Sequence, residues 1–113
     1  MHISRKKESK KIQVDQTTVV YEYPIMDRSI HVALVKLNGR YPKTKRIVNE
    51  KCAELVYVVK GFGKLVVEDE EVEFKEGDQL FIGPQEKYYW NASAVLFMPC
   101  APAWYSEQHK EID

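Results

Sequence analysis

Glu54 is the only charged residue in the stretch Cys52-Ala53-Glu54-Leu55-Val56-Tyr57-Val58-Val59. Side chains alternate along an unbulged strand, so Val48, Glu50, Cys52, Glu54, Val56 and Val58 share one face. If that face looks into a closed interior, two carboxylates and a thiol project there together. Unpaired charges are costly to bury, so an inward Glu54 requires a metal, a cationic partner, a hydrogen-bonding shell or a raised pKa. A carboxyl brought toward neutrality in this way is suited to general acid or base work. If the face looks outward, Glu50 and Glu54 are surface residues, and parity alone does not choose between the two.

A second informative stretch runs from Glu76 to Asn91: a Gly77-Asp78 turn, the apolar strand Leu80-Phe81-Ile82, a Gly83-Pro84 corner and the aromatic strand Tyr88-Tyr89-Trp90. It returns the chain across from the first stretch. Asn49, Tyr88 and Trp90 then add an amide, a phenol and an indole to the carboxylates, a lining that suits a small polar organic ligand such as a sugar or a carboxylic acid. The competing reading is that the aromatic run fills the core and a dimer interface. His31, in the strand Ile30 to Leu34, faces either way and is grouped with Asn49, Glu50, Cys52 and Trp90 as a ligand-facing residue. His2 and His109 lie near the termini and are given no role. Cys52 and Cys100 cannot build a disulfide framework and are read as thiols that pack as small hydrophobes.

Together the two stretches resemble the paired motifs of the cupin superfamily. The first cupin motif has the form G-x5-HxH-x3-4-E-x6-G, and its Glu54-x6-Gly61 half is intact here. The second has the form G-x5-PxG-x2-H-x3-N, to which Gly77-Asp78, Ile82-Gly83-Pro84, Tyr88 and Asn91 are similar in order though not in strict spacing. Pro102-Ala103-Trp104 with Glu107-Gln108-His109 resembles the tail of single-domain cupins. The resemblance spans residues 28 to 109 and implies an all-β, single-domain jelly-roll barrel, a double-stranded β-helix.

In metal-dependent cupins, two histidines and a glutamate of the first motif and one histidine of the second hold the metal. Counting back from Glu54, the paired histidine positions fall on Val48 and Glu50 or on Ile47 and Asn49; the second-motif position falls on Tyr88 or Lys87. Only Glu54 survives, so no metal and no cofactor are expected. What the resemblance then implies is an isomerase-like or epimerase-like barrel with Glu54 as general acid or base and Tyr88 as its proton partner or oxyanion donor. Two alternatives stay open: a non-catalytic ligand-sensing or structural dimer module, and a metalloenzyme using Glu50, Cys52, Glu54 and His31.

The elements that must position these groups are short and rich in Val, Ile, Tyr and Phe. Strands are expected at 18–23, 29–37, 46–59, 62–68, 71–74, 79–82, 87–91 and 94–99, with an extra edge at Ile12 to Val14. Turns fall at Asn38-Gly39, Gly61-Phe62-Gly63, Glu68-Asp69-Glu70-Glu71 and Gly83-Pro84. A short helix is expected over Trp104 to Ile112, after Pro102. Residues 1–11, with Arg5, Lys6, Lys7, Lys10 and Lys11 against Glu8, read as a basic flexible tail, and 12–113 as one domain. Seventeen basic and seventeen acidic residues leave a formal charge of zero, which argues against nucleic acid as partner. The longest apolar runs are far short of the ~20 residues of a membrane helix, and no secretory leader is recognisable, so the cytoplasm is expected. The expected partners are a small molecule and a second copy of the chain, paired through exposed edge strands near the N-terminus, including Thr17 to Tyr23.

Overall fold

A computed structural model describes residues 1–113. The chain is all-β, with nine strands: β1 (Lys10–Gln13), β2 (Thr18–Glu22), β3 (His31–Tyr41), β4 (Arg46–Asn49), β5 (Ala53–Val67), β6 (Glu70–Lys75), β7 (Gln79–Ile82), β8 (Lys87–Ala101) and β9 (His109–Ile112). All pair antiparallel in one curled sheet. β8 is its spine, flanked by β3 and then β4 on one side and by β5 on the other. β1 and β2 extend the sheet from β3, β9 pairs with β4, and β6 and β7 pair with the two halves of β5. The inward face carries the core, with Val56, Val58, Leu65, Phe74, Ile82, Trp90 and Leu96 all buried.

Long strands replace several expected turns. Asn38-Gly39 runs straight through the end of β3, where Asn38 N–H donates to the Thr17 carbonyl at 2.8 Å. Gly61-Phe62-Gly63 is likewise interior to β5, and its glycines serve close approach to β8 rather than reversal. A Cβ on Gly61 would stand 2.1 Å from the Ser93 carbonyl oxygen, and one on Gly63 2.3 Å from Ala92 Cβ. The acidic run does close a hairpin, Val67 pairing with Glu70. Where one strand was expected over 46–59, the chain breaks between Asn49 and Ala53.

Three further expectations are corrected. The segment Trp104 to Ile112 forms a short 3-10 turn at Ser106–Gln108 followed by β9, not a helix, because pairing with β4 overrides local propensity. Lys10 and Lys11, expected in the tail, open β1 and pair with Glu22 and Tyr21. β2 is therefore no free edge, being hydrogen-bonded on both sides, to β1 and to β3; the free N-terminal edge of the sheet is β1.

Candidate functional site

The break between β4 and β5 builds the site. Glu50 N–H donates to the Gln108 carbonyl at 2.8 Å, and the Lys51 and Cys52 N–H groups donate to Gln108 Oε1 at 3.2 and 3.1 Å. These bonds turn the chain by three residues and reset its parity. Asn49 and Glu54, which would lie on opposite faces of one unbroken strand, both point inward. Beyond the break the alternation is regular, with Glu54, Val56 and Val58 buried and Leu55, Tyr57 and Val59 exposed.

Glu54 sits between Ile82 of β7 and Cys100 of β8. Its Oε1 accepts from Asn49 Nδ2 at 2.5 Å and from the Tyr88 hydroxyl at 3.2 Å, while Asn49 Nδ2 lies 3.3 Å from Tyr88 Oη. The second carboxyl oxygen makes no protein hydrogen bond, and since no fully buried side-chain oxygen or nitrogen lacks a partner, that oxygen is open to the cavity. Both ion pairs, Lys45–Asp113 and Lys64–Glu71, are on the surface, so no cation offsets Glu54. Burial raises the Glu54 pKa, and the Asn49 and Tyr88 hydrogen bonds pull only partly against it. Burial, then the Glu54 charge, holds Tyr88 well above the ordinary phenol value.

The network continues beyond Glu54. Asn49 Oδ1 accepts from Gln108 Nε2 at 3.1 Å and from His109 Nδ1 at 2.8 Å, and His109 Nε2 lies 3.3 Å from Tyr41 Oη. Asn49 is thus at the centre, with its amide group facing two oxygens and its carbonyl facing two donors. The cavity beside this network has a volume of about 340 Å³ and is walled mostly by apolar side chains. Glu54, Tyr88, Tyr41, His109, Trp90 and His31 all reach it.

The expected ligand-facing residues therefore divide. Trp90 and His31 lie on the cavity wall, Trp90 with its ring edge-on to Phe74 and His31 with Nε2 2.6 Å from the Tyr23 carbonyl. Asn49 is 1% exposed and stands behind Glu54 rather than on the wall. Glu50 is exposed in the β4–β5 loop and does not face the interior, because the parity reset turns it outward. Cys52 is fully buried away from the cavity, its thiol donating to the Pro102 carbonyl at 3.3 Å; Cys100 takes the wall position instead. Burial raises the pKa of both thiols, that of Cys100 to about 12, so neither is an activated nucleophile.

A divalent ion of the kind metal-dependent cupins hold does not fit these residues. No three His, Cys, Asp or Glu side chains converge, His31 is engaged with a carbonyl, and Glu54 is surrounded by an amide and a neutral phenol. The proposed set of Glu50, Cys52, Glu54 and His31 is scattered, with Glu50 outside. Tyr41, Gln108 and His109 were not marked from the sequence. Gln108 and His109 reach the site through the pairing of β9 with β4, and Tyr41 through that of β3 with β8, for which no local pattern gives a signal.

No protein-family model matches the chain, and no curated protein matches it in sequence. Solved structures do. Streptomyces Pac13 with uridine is 18% identical, with 100% of this chain and 92% of that chain covered and a TM-score of 0.89. Another Pac13 structure, described as that of a nucleoside dehydratase, gives 19%, 99% and 91% with a TM-score of 0.88. An RmlC-like cupin from Shewanella frigidimarina is 14% identical, covering 91% and 92%, with a TM-score of 0.75. The chain has the cupin fold, with the histidine positions of the metal-binding motifs replaced. Among folds of this type it is most usefully set beside Pac13, which it matches over nearly its whole length at low identity.

Proposed function

We propose that the chain binds a small polar organic molecule inside the barrel and relocates protons on it without a metal, with Glu54 as acid–base group and Tyr88 as its proton partner. The observation that carries this reading is the buried Glu54 carboxyl, hydrogen-bonded through one oxygen to Tyr88 and Asn49, open to the cavity through the other, and unpaired with any cation. The cavity volume of about 340 Å³ is at the small end of ligand sites. The likeness to a nucleoside dehydratase with uridine supports a sugar-bearing ligand. A carbon acid next to a carbonyl suits the pair, since Glu54 can exchange its proton while the Tyr88 hydroxyl donates to the developing oxyanion.

The test screens uridine, monosaccharides and hydroxy acids by saturation-transfer NMR, followed by deuterium uptake into ligand carbon positions in D2O. One class is expected to bind saturably and to exchange a carbon-bound proton, and Glu54→Gln is expected to keep binding while slowing exchange at least ~100-fold. No binding by any class would remove the ligand reading. Unchanged exchange in the variant would remove Glu54 from the chemistry.

We also propose a second copy of this chain as partner, docked on the outer face of β5, β7 and β8. Leu55 lies opposite Phe81 and Tyr57 opposite Phe97, all four more than 40% exposed, so apolar side chains adjoin across three strands. Sedimentation is expected to give a dimer at micromolar concentration and a monomer for Tyr57→Lys; a monomeric parent would end the proposal.

A further inference from the structure

We infer that His109 is a second proton-handling group of the cavity, acting through the Tyr41 hydroxyl, with Asn49 as the positioning residue that fixes its tautomer. The inference rests on the reading of the barrel as a proton-transfer site and adds a second arm to it.

Asn49 and His109 are direct cross-strand partners in the β4–β9 pair, so their side chains meet on the inward face. The Asn49 amide cannot be turned over, since its Nδ2 faces Glu54 Oε1 and Tyr88 Oη while its Oδ1 faces Gln108 Nε2. Its Oδ1 can only accept, so the proton of a neutral His109 is on Nδ1, 2.8 Å away. Nε2 is left as a lone-pair acceptor, and the Tyr41 hydroxyl at 3.3 Å is the donor facing it. Trp104 packs edge-on to the imidazole, with ring centroids 5.5 Å apart. Burial lowers the His109 pKa, favouring the free base. Burial, then Glu111, Asp15 and Glu54, pushes Tyr41 up to about 12, so its hydroxyl stays protonated and available to donate. The titratable groups facing His109 are Tyr41 from β3 and, across Asn49, Glu54 from β5 and Tyr88 from β8.

The resulting step balances without a redox partner. A proton leaves a ligand carbon for Tyr41 Oη as the Tyr41 proton passes to His109 Nε2, giving an imidazolium. The electron pair of the broken C–H bond becomes a new C=C π bond, as either the neighbouring C=O π pair moves onto its oxygen or a C–O bond on the next carbon breaks and its pair leaves on oxygen. The neutral Glu54 carboxyl gives its proton to a ligand oxygen and becomes a carboxylate. Asn49 lies between the two charges so formed, its carbonyl on the imidazolium and its amide group on the carboxylate. One proton is taken and one given, which suits an isomerisation or the loss of water from a hydroxylated carbon chain.

The test needs no ligand, so its failure is separable from a failed ligand screen. Nitrogen-15 imidazole spectra of the full chain between about pH 5 and 8 should show His109 protonated on Nδ1 and bare on Nε2, titrating below the ordinary imidazole value of 6.5. Asn49→Asp should raise the His109 midpoint by about one unit or more by placing a carboxylate on Nδ1. Should that variant not fold, Tyr41→Phe serves. It keeps the tautomer and exposes Nε2 to the cavity, so acylation of His109 by diethyl pyrocarbonate should accelerate several-fold. A wild-type His109 protonated on Nε2, or one that resists acylation equally with and without the Tyr41 hydroxyl, would overturn the inference.

Discussion

β5 and β8 pair along nearly their whole length, from Ala53 against Ala101 to Val67 against Tyr88, yet the interior beside this ladder has two regions that are built differently. In one region, the filled end, Phe74 and Trp90 meet edge-to-face at 5.6 Å and glycines draw the backbones together. In the other region, the open end, a cavity is left, and Glu22, Glu54, Tyr41, Tyr88, His31 and His109 stand on its wall, with Trp90 bordering both regions. Backbone pairing is common to both, so side-chain volume and polarity make the difference. The filled end stabilises the barrel, and the open end holds polar groups that a filled core would not tolerate.

The largest way to break this comparison is at the filled end. Gly61→Ala would set a Cβ 2.1 Å from the Ser93 carbonyl oxygen, at a φ of 93° that L-residues rarely adopt. We expect a loss of about 3–5 kcal/mol in urea unfolding, because β5 must move off β8. Gly77 is the control: its φ is 90°, but nothing lies within 4 Å of an added Cβ. Gly77→Ala should cost only about 1 kcal/mol. Equal losses at the two glycines would show that conformation rather than close approach governs Gly61.

The same two ends differ in how much of them the sequence made legible. The filled end follows from alternation of apolar residues, and the cupin-like order of Glu54, Gly61, Gly77 and Tyr88 anticipated the fold. At the open end Glu54 and Tyr88 were visible as a carboxylate and a phenol in apolar runs. Glu50 and Cys52 were misplaced because a three-residue break, held by the Gln108 side chain and carbonyl from 56 to 58 residues away in sequence, resets parity where an unbroken strand was assumed. Tyr41 was lost when Asn38-Gly39 was read as a turn, since a dipeptide common in reversals can also be carried through a strand pinned by a neighbour. His109 was lost because local propensity favoured a helix where β4 offered an unpaired edge. These misses share one cause: each depends on a nonlocal pairing that overrides a local preference.

The smaller prediction concerns what the open end costs. Burial raises the Glu54 pKa, so the unfolded chain ionises at a lower pH than the folded one. The stability contributed by this neutral carboxyl is fully present below the ordinary value of 4.5 and is lost as pH rises through the folded value. His109 acts in the opposite sense: burial lowers its pKa, so its contribution is present above the ordinary 6.5 and is lost as pH falls through the folded value. Glu54→Gln removes the first dependence and leaves the second. In urea unfolding the variant should gain on the wild type as pH rises from 4.5 through the folded value and then level off, at an advantage of about 1–3 kcal/mol, the scale for relieving a buried group that lacks full compensation. A difference independent of pH would mean that Glu54 titrates like a solvated carboxylate, and the contrast between the filled and open regions would then rest on cavity volume alone.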